Sequence, residues 1–377
     1  MKEGIMSFSS ALSPAGGPLQ RGWRWSREKL FSSLPQTLLT LLLLALIILA
    51  AQRIIRWGII DAVWHTTDPA VCRAAAGACW AVIVEKHRPI LFGLYPYDQH
   101  WRLVVAMMLY FLTLGLSLMP RYWRSRVLLP LWTLSIVLMA ILMKGGVFGL
   151  KPVPSSEWGG LPLTILLFSG TVVIGMPASV LLALGRRSPL PFLRGLSVMF
   201  IEGLRGVPLI TILFVAVNVF PLFLPPGLEI NKLLRIVIGI ALFFACYQAE
   251  VIRGGLQSIP RGQYEAAAVL NLGYWHTTTR IILPQALRIC LPGMVNHIIA
   301  AMKNTSFVII IGLFDMLTAT SSVMQDPLWR RYYLETYLFI ATVYLLFGFL
   351  LSRYALWLEK RIDAGRTPET LNAGATS

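Results

Sequence analysis

Few residues in this sequence could do chemistry, and most of them lie within or beside long apolar runs. Lys303 is followed by Asn304, Thr305 and Ser306. An ammonium next to an amide and two hydroxyls offers the donors and acceptors that a zwitterion requires. A cation inside a membrane span costs roughly 2.5–3.5 kcal/mol on insertion scales and tends to mark a pathway. A lysine that snorkels to an interface or pairs with another chain would read the same way. Glu202 with Arg205, and Glu250 with Arg253, stand at i,i+3 spacing, so each pair either neutralises itself on its own helix or lines the same pathway. Gly206 and Pro208 break a helix between them, freeing backbone groups that could line a cavity. Cys72 and Cys79 share one segment. They form a small disulfide if that segment faces an oxidising compartment and are otherwise two free thiols, because spacing alone does not fix the geometry. Cys246 and Cys290 fall in apolar surroundings and read as small core residues.

The absent chemistry is equally informative. The sequence has no GxxxxGK[ST] loop for nucleotide phosphates and no HExxH, CxxC or GxSxG. The histidines at 65, 87, 100, 276 and 297 form no close ligand pair. No catalytic constellation and no metal site is expected, which disfavours a membrane-embedded enzyme.

The elements that must position these residues are membrane helices. Of 377 residues, 56% are apolar or aromatic and only 13% are charged, and mean hydropathy is +0.68. A soluble domain carries about 25% charged residues. The sequence predicts an all-α polytopic membrane protein with about eight spans, at 34–55, 103–119, 127–143, 161–184, 200–224, 233–251, 287–313 and 334–357. The third is the weakest and could merge with its neighbour into a re-entrant segment. The first could also be read as a signal peptide, but the basic leader before it is long, so an uncleaved anchor is preferred.

The chain carries 33 basic and 17 acidic residues, and the placement of the basic ones sets an orientation. With the N-terminus inside, Arg121, Arg124, Arg126, Arg186, Arg187, Arg194, Arg253, Arg261, Arg280 and Arg288 all fall in inner segments. Many of the outer basic residues, such as Arg73, Lys86 and Arg88, belong to one long loop where the positive-inside rule counts least. Both termini are therefore expected in the cytoplasm. The charge reads as topology plus attraction to membrane lipid, with no nucleic-acid partner. Trp57, Trp101, Trp123, Trp158, Trp329 and Trp357 fall near span ends, as interfacial belts require. The domains follow: a basic head 1–33; an extension 34–155 with three spans and an outer loop 57–101; a core 156–362 with five spans and an inner segment 252–287; and a tail 363–377.

That inner segment is not strongly apolar. Ser258-Ile-Pro260-Arg261 is a helix start signal, and Gln263 to Leu270 follows as a short helix. Asn271 and Gly273 can both adopt the left-handed conformation that ends one. Leu283-Pro284 then opens the next helix. The Ala266–Ala268 face is small enough for another backbone to approach closely, although alanine is also simply a good helix former.

Glu265-Ala266-Ala267, followed by Ile281-x-Leu283-Pro284, resembles the EAA loop of permease subunits of ATP-binding-cassette importers. Ala249-Glu250-Val251-Ile252-Arg253-Gly254-Gly255, Gln257 to Gln263, Glu202 to Leu209, Lys303 to Val308 and Gly312 to Asp315 resemble the polar amino-acid branch, and the resemblance covers about residues 160–360. The three-span extension and Ala183 to Ser188 are similar to the general L-amino-acid permeases. The resemblance implies a five-helix permease core in a bacterial inner membrane. A separate cytoplasmic ATPase dimer would bind ATP and Mg, so this chain needs no cofactor of its own. A periplasmic amino-acid-binding protein would deliver the substrate, and a sister permease or a second copy would complete the pathway. Glu265, Ala266, Ala267, Asn271, Gly273, Arg261, Arg280, Leu283 and Pro284 would then couple to the ATPase. For Arg261 and Arg280, lipid phosphates are an equal alternative. The family usually has Gly where Asn271 stands, and many relatives have Asp where Asn304 stands; without that charge the resemblance does not imply a preference for cationic substrates. The competing expectation is a secondary, ion-coupled transporter, which would need no ATPase. No internal repeat or inverted pair of broken helices favours it.

Overall fold

A computed structural model describes residues 25–363. Most of the basic head 1–33 and the tail 363–377 lie outside the described residues. The chain divides into two compact units, Met1–Trp80 and Ala81–Ser377.

In the first unit, α1 (Leu34–Ile55) begins with a proline in its first turn and has no buried residue. Its apolar side chains point outward all round, as in a helix whose solvent is lipid. A π-helical turn, Arg56–Ile60, ends it. The short α2 (Pro69–Ala74) is capped by Asp68, whose carboxylate accepts from the Ala70 N–H at 2.8 Å. Cys72 is disulfide-bonded to Cys79 with 5.6 Å between their Cα atoms, so the bonded form of the two alternatives holds. Val63 N–H donates to the Ala78 carbonyl, Ala78 N–H to the Trp57 carbonyl and the Trp80 indole to the Gly58 carbonyl. Residues 57–80 are therefore a closed, hydrogen-bonded piece.

The second unit opens with α3 (Ala81–Phe92), which buries Ala81, Val82 and Ile90. The segment 57–101, expected as a loop, thus contains two helices. α4 (His100–Ser117) and α5 (Ser125–Lys144) pack against each other. The third predicted span is a full helix of 20 residues and is not re-entrant. Arg102 holds the pair together. It is fully buried and donates to the Leu142 carbonyl at 2.7 Å and the Lys151 carbonyl at 2.9 Å, satisfying a backbone acceptor that the end of α5 leaves open.

α6 (Gly160–Arg186) starts at a left-handed residue, Gly160, with φ of +63°. A Cβ there would lie 2.0 Å from the Leu91 carbonyl oxygen, so only glycine lets the end of α3 rest on the start of α6. Next come α7 (Pro191–Arg205) and α8 (Leu209–Phe214), bent by 103° to one another. The span expected at 200–224 is therefore two helices broken at Gly206–Pro208. The missing N–H of Pro208 and the flexibility of Gly206 stop the first and start the second. α9 (Lys232–Gln257) packs on α6. It runs past the predicted limit at 251, and Gly255 there lets a later helix approach: a Cβ on it would meet the Ala286 carbonyl oxygen at 2.6 Å.

α10 (Arg261–Val269) is the short exposed helix. A turn at Tyr274–His276 and a π-helical stretch, Thr277–Ile282, then lead without interruption into α11 (Leu283–Asn304). The helix therefore starts at Tyr274, nine residues before the expected Leu283-Pro284. Pro284 has no N–H to give the preceding turn, and a widened turn accommodates it. The surface piece shrinks from 252–287 to 258–273. After a 3₁₀ turn, Phe314–Asp315 bridges to Gly159 and Gly160. Asp315 caps α12 (Met316–Val323) by accepting from the Leu317 and Thr318 N–H groups, and burial pushes its carboxyl above the ordinary range. α13 (Tyr333–Asp363) closes the fold.

Among the described residues, seven helices are long and apolar enough to cross a membrane, or eight if the bent α7–α8 pair counts as one span. Two large apolar clusters and a smaller one around Ile90, Met316 and Ile340 hold the second unit together. One large cluster joins Leu103, Met139, Leu163, Ile236 and Val308 near the start of α6, and the other joins Ala183, Ile201, Ile252, Ile282 and Ala286 near its end. In lipid such clusters act through close packing rather than water exclusion.

Candidate functional site

The site residues gather at two ends of the helix bundle. α11 separates them: from Leu283 to Asn304 it rises about 30 Å at 1.5 Å per residue, which is about the hydrocarbon thickness of a bilayer.

At the first end stands α10. Its closing turn is a Schellman motif. Leu272 N–H donates to the Ala267 carbonyl at 3.0 Å, and Asn271 N–H donates to the Ala268 carbonyl at 2.9 Å. Asn271 takes the left-handed conformation with φ of +52°. Gly273 does not, contrary to expectation: its φ is −64° and it precedes the next helical turn. Nor does Ser258 cap α10. Pro260 occupies that position without a side-chain bond, while the Ser258 hydroxyl turns back to the Gly254 carbonyl at the end of α9.

Ala267 is buried, and it is the face by which α10 sits on its own chain. Ala266 and Ala268 are exposed. So are Glu265, Arg261 and Arg280, none of which makes an ion pair among the described residues. Val269 and Leu270 are 87% and 70% exposed, and Trp275 beside them is 67% exposed. An apolar ridge fringed by unpaired charge marks an interaction surface. Leu283 and Pro284 lie on the adjoining helix, held near α10 by Gln285, whose amide reaches Gln263 at 3.2 Å.

Just above this surface, the ends of three helices meet in an ion cluster. Arg186, at the end of α6, lies 2.7 Å from Glu202 Oε1 on α7 and 2.9 Å from Glu250 Oε1 on α9. Glu250 Oε2 is 2.9 Å from Arg253, and Arg205 is 3.7 Å from Glu202. The two i,i+3 pairs exist as expected. Arg186, counted only as an inner positive charge from the sequence, links them. The Arg205 guanidinium also lies over the Tyr247 ring at 5.3 Å. Gly206 and Pro208 follow directly, at the 103° bend.

At the far end, Lys303 is exposed and unpaired among the described residues. The Thr305 and Ser306 hydroxyls are used locally, donating to the Met302 and Lys303 carbonyls at 2.7 Å each. Asn304 is half-buried. The fold separates Lys303–Ser306 from Glu202 and Glu250, whereas α8, which starts directly after Pro208, packs against the turn Thr305–Ile311, with Leu209 and Leu213 in one apolar cluster with Val308 and Ile311. A residue missed from the sequence is Gln248. It is fully buried on α9, and neither end of its amide has a hydrogen-bond partner. A glutamine inside the apolar run Ala241–Ala249 was the available signal. Buried amides ordinarily have partners, which sets Gln248 apart from the apolar residues around it.

The sequence model for the "binding-protein-dependent transport system inner membrane component" family matches residues 175–364. This stretch contains the ion cluster's Arg186, the α7–α8 break, α10 and Lys303. The inner membrane amino-acid ABC transporter permease protein YhdY of Escherichia coli is 44% identical over 361 residues, spanning 94% of this chain and 97% of that protein. The chain belongs to this permease family. The glutamate/glutamine/aspartate/asparagine transport system permease protein BztC of Rhodobacter capsulatus is 36% identical, with 93% and 96% of the two chains covered. Both alignments include the extension as well as the permease core. A crystal structure of an amino acid ABC transporter with histidines is 29% identical, covers 54% of this permease and 92% of its own chain, and superposes with a TM-score of 0.48. The ion-coupled alternative finds no support in this family.

Proposed function

We propose that this permease conducts amino acids inward through the bacterial inner membrane and that α10 is the element through which a separate ATPase drives it. The observation that carries the reading is the surface of α10: an exposed apolar ridge, Val269–Leu270–Trp275, beside three unpaired charges, Glu265, Arg261 and Arg280. A helix of this kind fits a groove on a soluble partner. The partner would be a cytoplasmic ATPase dimer that holds ATP and Mg. Its closing would move α10 and, through the helix continuous from Tyr274, α11. A periplasmic binding protein would deliver the amino acid, and a sister permease or a second copy would form the other wall of the pathway. Both termini would then be cytoplasmic, on the side of α10. The amino-acid cargo is supported by the names of the two full-length relatives.

Glu265 is the residue to test, because it is exposed and its loss disturbs no internal contact. Glu265→Ala should leave membrane insertion and amount unchanged but separate ATP hydrolysis from uptake in vesicles containing the assembled transporter. Uptake in that variant that keeps its normal ratio to ATP turnover would remove the proposal.

A further inference from the structure

A cleft of about 520 Å³ runs between α4, α6 and α13, away from the α10 surface and the ion cluster. Its walls are apolar and aromatic: Tyr110, Phe111, Gly115, Phe347 and Trp357 face it, with Arg353 as its cation. Phe111 and Phe347 stack across it with ring centroids 5.6 Å apart. A Cβ on Gly115 would meet nothing within 4 Å, so the space beside α4 is open.

The cleft is polarised along the membrane normal. The start of α13 lies with the start of α6, since Ile340 packs with Ile90 and Met316, and Phe314–Asp315 bridges to Gly159–Gly160. The end of α13, with Arg353 and Trp357, therefore lies on the side of Arg186 and α10. At that end the Trp357 ring meets Trp123 edge-on at 5.4 Å, and Trp123 is flanked by the exposed Arg121 and Arg124. None of Arg353, Arg121 and Arg124 makes an ion pair among the described residues. From Phe347 to Trp357 the helix rises about 15 Å, half of the roughly 30 Å hydrocarbon layer. Along α13 the cleft covers one leaflet and is cationic at the interface, and its apolar end continues past mid-membrane to Ile165 and Met302.

The geometry points to a binding site for one anionic phospholipid of the leaflet on the α10 side. Its acyl chain lies between α4 and α13 and its phosphate rests on Arg353 within reach of the Arg121–Arg124 turn. Basic pockets between helices at this level favour anionic headgroups, and paired indoles suit the interface. The bound lipid would join the extension to the permease core.

The test titrates the full-length chain, purified in a neutral detergent and washed free of lipid, with phosphatidylglycerol or phosphatidylcholine while lipid adducts are counted by native mass spectrometry. Phosphatidylglycerol should half-saturate at about tenfold lower concentration, equal to ~1.4 kcal/mol. Arg353→Gln should erase the difference and Arg353→Lys should keep most of it. Gly115→Phe should plug the open space and remove the adducts of both lipids. If that variant does not fold, Gly115→Leu is a smaller plug with the same expectation. Equal half-saturation by the two lipids, or adducts unchanged by Arg353→Gln and the Gly115 variants, overturns the proposal. So does a chain lacking residues 1–24 that gains adducts, because the cleft's occupant would then be the chain's own head.

Discussion

Arg186→Met offers a direct measure of how α6, α7 and α9 are held together on the α10 side of the bundle. Glu250 is the more buried of the two partners, with its side chain 17% exposed against 22% for Arg186. Its Oε2 is satisfied by Arg253, at 3.0 Å from Nε and 2.9 Å from Nη2, whereas its Oε1 faces only Arg186, at 2.9 Å. Removing Arg186 therefore leaves half of a largely buried carboxylate unpartnered. The hydrogen bond that Arg186 donates goes to Glu202 Oε1, at 2.7 Å; its contact with Glu250 Oε1 is an ion pair without hydrogen-bond geometry. Both partners keep some exposure, so the upper end of the range for such pairs, about 1 kcal/mol, is expected. The assay is reversible unfolding in mixed micelles followed by helical circular dichroism, run as a double-mutant cycle with Glu250→Gln. Each single change should destabilise, and the pair should lose less than the sum of the two, giving a coupling of about 1 kcal/mol. Arg187→Met removes the same charge from the neighbouring exposed position and should be neutral. Losses at 186 and 250 that add to within about 0.5 kcal/mol would refute the shared-clamp reasoning, as would an equal loss at 187.

Four further outcomes follow from the geometry. Gly273→Ala meets no atom within 4 Å and needs no left-handed backbone, so it should leave folding unchanged; a loss of uptake in that variant would then report a partner surface, read by comparing expression with transport. Asn271→Gly should stabilise the turn after α10 by up to about 1 kcal/mol, since it relieves a left-handed non-glycine residue, measured as slower proteolysis of that turn. Arg102→Met, which leaves the Lys151 carbonyl without its donor and the Leu142 carbonyl with only the Tyr95 hydroxyl at 3.3 Å, should cost about 2–4 kcal/mol for two charge-assisted bonds, partly offset by apolar packing, seen as a lower yield of monodisperse protein. The Asp326 carboxylate is held below the ordinary range, first by its bond to Lys86 and then by the Leu328 N–H. Its stabilising contribution is therefore full at neutral pH and is lost as pH falls through a value below about 4. Asp326→Asn should flatten the acid limb of a thermal-stability profile.

The apolar runs are legible in the sequence because lipid solvation requires them, and α10 is legible because a short polar stretch between two such runs must leave the bilayer. The Gly206–Pro208 break is likewise readable, since both residues act locally. Two kinds of information are not local. Arg186 reaches Glu202 across 16 positions, and its role exists only once α6, α7 and α9 are adjacent. Arg102, Lys232 and Arg235 count as outer charges in the sequence, yet each serves backbone carbonyls: Lys232 that of Ile311 at 2.7 Å, and Arg235 those of Ile230, Ala216 and Val217. Where a carbonyl goes unpaired depends on where helices end, and those ends follow from packing. Which of Asn271 and Gly273 takes the left-handed conformation is not local either. Asn271 already completes the reversal, so a second left-handed residue would turn the chain away from the next helix.

The bare surface of α1 sets a different rule for that part of the chain. None of its residues is buried, so no packing within its own unit records which leucine or isoleucine stands where. The closely fitted start of α6 is the opposite case: a single methyl group there would strike Leu91, and that position has almost no freedom to change.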